Sequence, residues 1–296
     1  MGDPVAHFWA ASQLDVDAMR GGDFELADEC QAILDELSAR LQQPTLVWNA
    51  LSHAAAHAMG RGDPARAEEL AGRALDLAMA SGQPDAFGYY GSQLMTVRRQ
   101  QGRMGELLSL IADVAERNPL PIYRSTLATA YLQGGDREAA LRMIEAEEAT
   151  GFAFQMDSAW LDGMLSYAIV ADELDLPGPA EKLFDLLAPY HDLIPASGLN
   201  VRDPIAVTLG ALSSVLGRYE EAERHFAFAA EVAARGEMAH AEALTRLLWG
   251  RMLRRQDAVD ERVRARELLE SARSAAEQRG YGSITRRAQE EISGLG

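Results

Sequence analysis

A chain of 296 residues is long enough for two globular domains, and a formal net charge of -17 sets it against nucleic acid and anionic membrane surfaces as direct partners. The single cysteine, Cys30, excludes an internal disulfide, and no apolar run approaches a membrane span or a signal peptide. The expectation is a soluble chain of the reducing cytoplasm.

Ala, Leu, Glu and Arg dominate, β-branched runs are scarce, and the chain reads as helical throughout. Asp3-Pro4 caps a first helix in which Phe8, Ala11, Leu14 and Ala18 keep a helical period up to Gly21-Gly22. A partner helix follows through Leu26, Cys30, Ile33, Leu34 and Leu37. Pro44 opens a second unit that turns at Gly60-Arg61-Gly62. A third spans 85–118 with its turn at Gly102, and a fourth opens at Pro119-Leu120-Pro121 and turns at Gly134-Gly135-Asp136. Asp157-Ser158 cap a longer helix reaching about Leu174, where Leu176-Pro177-Gly178-Pro179 replaces the usual glycine turn. The stretch 189–203 is the longest loop and the expected place for a bend or a lid. A helix over 238–255 leads into a charged insertion, 256–262, and a short polar helix over 283–293 closes the chain as a cap.

One pattern recurs along this series. Gly217 is followed five residues on by Ala222, then by Phe226 and Ala229, with Leu209 and Gly210 upstream. Glycine ends one helix, alanine lets the next approach it, and the aromatic fills the wedge. The frame also fits Gly22…Ala27, Gly62…Ala67, Gly102…Leu107 and Gly135…Ala140, and more weakly Asp175…Ala180 and the residues before Ala265. Successive anchors stand 40, 40, 33, 40, 42 and 43 residues apart.

The pattern resembles the tetratricopeptide (TPR) repeat, whose usual unit is about 34 residues. The resemblance implies an all-α, right-handed superhelical solenoid of about seven antiparallel helix pairs plus a C-terminal capping helix. Its repeats would cover about 3–43, 44–83, 84–118, 119–152, 155–194, 201–236 and 237–281, with the cap at 283–293, in one domain over 3–296. A narrower resemblance rests on Asp3-Pro4…Phe8-Trp9-Ala10, on Phe87…Tyr90-Gly91…Gln93-Leu94…Arg98…Gln101-Gly102-Arg103, on Asp157…Trp160-Leu161 and on Ala265-Arg266-Glu267-Leu268-Leu269. These look like the long-repeat TPR region that ends actinobacterial regulators of the AAA/STAND ATPase type, fused to a nucleotide cyclase or a LuxR-type DNA-binding domain. The chain shows no phosphate-cradling Gly-x-x-x-x-Gly-Lys-[Ser/Thr] loop and no cyclase or helix-turn-helix segment, and Met1-Gly2 reads as a start placed directly before the first repeat.

Catalytic residues are not expected. His53 and His57 stand four apart, as in a metal half-site, but lack a third ligand and read as histidines packed among alanines. Cys30 has no thiol-activating motif, and Glu68-Glu69, Glu220-Glu221 and Glu290-Glu291 read as solvated helix charge. Neither a metal nor a cofactor is implied.

The resemblance points instead to the groove lined by the first helix of each pair. The expected ligand- or partner-binding residues are Tyr89, Gln93, Thr96, Arg99, Ser125 and Thr129: an aromatic, a forked cation and several hydroxyls on an apolar wall. The competing reading pairs Arg98, Arg99 and Arg124 with acids between repeats. A chaperone-type carboxylate clamp is not expected, because Ser12, Val16, Asn49, His53 and Gln93 stand at its positions without a lysine. The implied function is a non-catalytic sensor or interaction module. It would take a protein segment or small effector in the groove and regulate an attached or separate AAA/STAND-type ATPase, cyclase or transcription-regulator domain. The alternative is a free-standing peptide-binding adaptor.

Overall fold

The computed structural model describes residues 2–118, 120–157, 159–256 and 259–295. Pro119 at the expected start of the fourth repeat, Ser158 beside the capping Asp157, Asp257 and Ala258 in the charged insertion, and Met1 lie outside them. Among the described residues the chain is all-helical, with one isolated antiparallel bridge between Ala196 and Val201.

Among the described residues, seven helix pairs and a last helix follow in order. They are α1 (Pro4–Gly21) with α2 (Phe24–Leu41), α3 (Pro44–Gly60) with α4 (Pro64–Ala80), and α5 (Ala86–Gln101) with α6 (Leu108–Arg117). Next come α7 (Pro121–Gln133) with α8 (Arg137–Ala149), α9 (Trp160–Leu174) with α10 (Pro177–Leu187), and α11 (Ile205–Val215) with α12 (Tyr219–Arg235). The series ends with α13 (Ala239–Gln256), α14 (Val259–Arg279) and α15 (Gly282–Ser293). Short turns between long helices force each pair antiparallel.

Local chemistry explains the boundaries. Asp23, Asp63 and Asp136 each accept a hydrogen bond from a backbone N–H three residues on, so α2, α4 and α8 start on the same device, worth about 1 kcal/mol each. Gly217 takes a left-handed φ of 71° between α11 and α12. Where the fifth pair lacks that glycine, Asp175 holds φ 58° itself and Pro177 starts α10. Most of the insertion expected over 256–262 is helical, because α14 begins at Val259.

The alanine anchors mark the core. Ala27, Ala67, Ala140, Ala180, Ala222 and Ala265 are all fully buried. Leu107 departs from the frame. It lies half-buried in a 3-10 turn (Met104–Leu107), and Met104 and Ile111 take the buried positions instead. A leucine side chain is too large for the close approach that alanine allows, so α6 starts late and runs only ten residues.

Compactness divides the chain into two units. The first comprises Met1–Gln100, Leu193–Asp203 and Val232–His240; the second comprises Gln101–Asp192, Pro204–Glu231 and Ala241–Gly296. The first unit has apolar clusters around Phe8, Leu34 and Leu46, around Met59, Leu70 and Val97, and around Trp48, Ala74 and Ala86. In the second, Phe226 packs with Ala206, Ala222, Leu248 and Met252, and Leu247, Leu269, Tyr281 and Ile284 form a neighbouring cluster that seats α15.

Candidate functional site

The candidate site lies in the first unit, where α1, α3 and α5 present polar residues from an otherwise apolar stripe. On α1 the stripe Phe8, Ala11, Ala18 is interrupted by Ser12 and Asp15, both nine-tenths buried or more. On α3 it carries Ser52, His53 and His57, and on α5 Gln93, Thr96 and Gln100, all buried.

Asp15 binds both histidines. Its Oδ2 lies 2.6 Å from His53 Nδ1 and its Oδ1 2.7 Å from His57 Nε2. Burial pushes this carboxyl up, but the hydrogen bonds from His53 and His57 and their charges outweigh it and leave it below its ordinary value. The chain continues in both directions. Ser12 Oγ is 2.9 Å from His53 Nε2 and 3.3 Å from Asn49 Oδ1. On the other side His57 Nδ1 is 3.6 Å from Asp28, which Arg61 grips at 2.5 Å while also reaching Glu237 at 3.0 Å.

The order Ser12, His53, Asp15 has the connectivity of a nucleophile, base and orienting acid. The setting does not suit that chemistry, because Ser12 sits mid-way along α1, where neighbouring N–H groups are spent on helix carbonyls. Asp15 takes one nitrogen of each imidazole, and the other nitrogens face Ser12 on His53 and Asp28 on His57. The network therefore holds three helices in register and supports what lies above it.

What lies above it is the segment 194–202. Ser197 N–H donates to Asn200 O at 2.8 Å and Arg202 N–H to Pro195 O at 2.9 Å, so the expected loop is a small hairpin laid on the helices. Ile194, Ala196, Val201 and Arg202 are buried against these helices. Arg20 Nε donates to Ala196 O at 2.8 Å, and Gln93 Nε2 donates to Leu199 O at 3.0 Å while also binding Ser52 O at 2.9 Å. Asn200 Nδ2 donates to Ser92 Oγ at 2.7 Å. At the tip, a Cβ on Gly198 would stand 2.6 Å from His53 Nε2, so only glycine fits. Below the hairpin's end, Asp203 accepts from His240 Nδ1 at 2.8 Å. Burial raises its carboxyl, and the charges of His240, Arg99 and Arg202 with the His240 hydrogen bond bring it below its ordinary value.

Four of the six residues expected from sequence belong to this unit. Tyr89 is half-buried and meets Trp48 at a ring tilt of 41°, with centroids 4.5 Å apart. Gln93 faces the hairpin, Thr96 is buried beside it on α5, and the Arg99 charge acts on Asp203. Ser125 and Thr129 lie in the second unit. Their hydroxyls are spent on carbonyls: Ser125 donates to Ile122 O at 2.9 Å, and Thr129 to Ser125 O and Ser166 O at 3.2 and 3.3 Å. Arg98 is bidentate to Glu68 of the preceding repeat, as the competing reading has it, whereas Arg124 pairs with Glu147 inside its own repeat. Sequence reasoning missed Asp15. Its signal was an acid inside an apolar stripe, which needs a buried partner, with two histidines at the matching face of the next repeat.

No family model matches the sequence, and no curated protein does. Among solved structures, the chain is similar to a tetratricopeptide repeat protein from Parabacteroides merdae. The two are 18% identical with a TM-score of 0.36, covering 84% of this chain and 98% of the other.

Proposed function

We propose that this chain is a non-catalytic helical-repeat interaction module whose α1–α3–α5 face binds a protein segment, and that occupancy of this face regulates an attached or partner ATPase, cyclase or transcription-regulator domain. The observation that carries the reading is the contact of Gln93 and Arg20 with the main-chain carbonyls of Leu199 and Ala196. A surface that grips carbonyl oxygens with side-chain donors recognises a segment chiefly through its main chain. Tyr89 supplies a flat half-buried ring, Thr96 a hydroxyl and Arg99 a cation at the same helix. With a net charge of -17, a cation at the face favours a segment carrying a carboxylate.

The test is a peptide-display selection against the full chain, followed by fluorescence anisotropy of the selected peptides on wild type, Gln93→Ala and Arg99→Ala. Tenfold or greater weakening in both variants is expected, about 1.4 kcal/mol per tenfold. Selected peptides that bind all three proteins equally place the site elsewhere and overturn the reading.

A further inference from the structure

We propose that the hairpin 194–202 is a tethered competitor for this face, displaced by an incoming segment of its own chemistry: a glycine turn flanked by apolar residues that offers its main-chain carbonyls. The inference rests on the segment-binding reading of the α1–α3–α5 face. Three observations carry it.

The hairpin is held chiefly through its backbone. Arg20 and Gln93 bind the Ala196 and Leu199 carbonyls, Ile194 N–H donates to Arg20 O at 3.0 Å, and Asn200 adds a side-chain donor to Ser92. A face that reads backbone cannot tell its own hairpin from a foreign turn of the same shape.

The apolar anchors are few and small. Ile194 and Ala196 are buried, and Val201 sits on Gly60, where a Cβ would come within 2.9 Å of its side chain. The hairpin closes on a single bridge between Ala196 and Val201, and a two-stranded hairpin of that size has no stability of its own. It keeps its form only while the helices hold it.

The third observation is the fit at the tip. The buried Ser12–His53–Asp15 chain presents His53 Nε2 directly under Gly198, leaving no room for a Cβ. The face therefore demands glycine at the turn of any occupant. Gly198 takes no left-handed φ, so a side chain there meets a steric obstacle from His53 and no backbone strain of its own.

The experiment uses the full chain and a fluorescein-labelled peptide of residues 193–203, Leu-Ile-Pro-Ala-Ser-Gly-Leu-Asn-Val-Arg-Asp, cyclised through added terminal cysteines to preorganise the turn. Gly198→Val in the protein expels the tethered hairpin. Anisotropy should show the peptide binding Gly198→Val at least tenfold tighter than wild type, and a peptide with valine in place of its own glycine should not bind. Val201→Ala, which loosens the hairpin without a clash, should show an intermediate gain and carries the test if Gly198→Val loses its helical circular dichroism. Equal peptide affinity for wild type and both variants overturns the competitor role while leaving the segment-binding face intact. No binding to either folded variant overturns both.

Discussion

The packing of α11 on α12 permits a quantitative test with one atom's worth of change. Gly210 lies inside α11, and a Cβ there would stand 2.6, 2.7 and 3.0 Å from three ring atoms of Phe226, which is itself fully buried. Gly210→Ala should gain about 1 kcal/mol of helix propensity and lose about 1–3 kcal/mol to overpacking, a net loss of up to about 2 kcal/mol. Phe226→Leu shortens the opposing ring and should cost about 1–2 kcal/mol as a partly filled cavity. Combined, the new methyl occupies space that the leucine has vacated, so the double variant should be more stable than the sum of the singles by about 1 kcal/mol. Gly72→Ala is the control, since nothing lies within 4 Å of a Cβ at that helical position and the same substitution should stabilise by about 0.5–1 kcal/mol. Urea unfolding followed by circular dichroism measures all four variants. Additivity of the Gly210 and Phe226 effects to within about 0.5 kcal/mol, or destabilisation by Gly72→Ala, would refute the packing reasoning.

Two further outcomes follow from the buried charges. Asp15 has a carboxyl held below its ordinary 3.8, so its stabilisation is complete above that value and is lost as pH falls through its folded value. Asp15→Asn should lower the melting temperature at pH 5, through loss of hydrogen bonds to a charged group worth about 1.5–3 kcal/mol each, and the gap to wild type should narrow towards pH 3. A gap that does not change with pH would show that Asp15 carries no such charge dependence. In the second unit, Arg251 pairs with the buried Asp172, which Arg287 approaches at 3.6 Å. Arg251→Met should cost about 3–5 kcal/mol by stranding that carboxylate, and adding Asp172→Leu should recover most of the loss. Thermal melts in which the double variant is no better than the single would show that the pair acts through packing rather than charge.

The repeat frame was legible because its physics is written in residue size. Glycine at a turn and alanine at a helix crossing leave few substitutes, and Ala222, Phe226 and Ala229 are fully buried as that spacing requires. Leu107 fitted the spacing and lacked the size, so its turn became 3-10 and Met104 took the core position. Ser125 and Thr129 looked like ligand hydroxyls because sequence does not reveal which hydroxyls bond back to their own helix. The hairpin's seat on α1, α3 and α5 was illegible for a related reason: contacts to main-chain carbonyls leave almost no signature in side chains. Gly198, one glycine in a loop where glycine is ordinary, was its only trace.

The two late segments of the first unit also bear on how the protein is made. Helical repeats fold from local contacts, yet Arg20 meets Ala196 and Arg61 meets Glu237 across 176 residues in each case. At roughly 5–20 residues per second of synthesis, the stretch from Gln100 to His240 takes on the order of 7–28 s to appear. Until residue 202 has been made, helices α1 to α5 wait with Asp15, His53 and the α1–α3–α5 face uncovered. A chain cut short before Leu193 never covers them. The late-arriving hairpin thus closes this face only after residue 202 has been added, and a shorter chain leaves the Asp15–His53 network open to solvent.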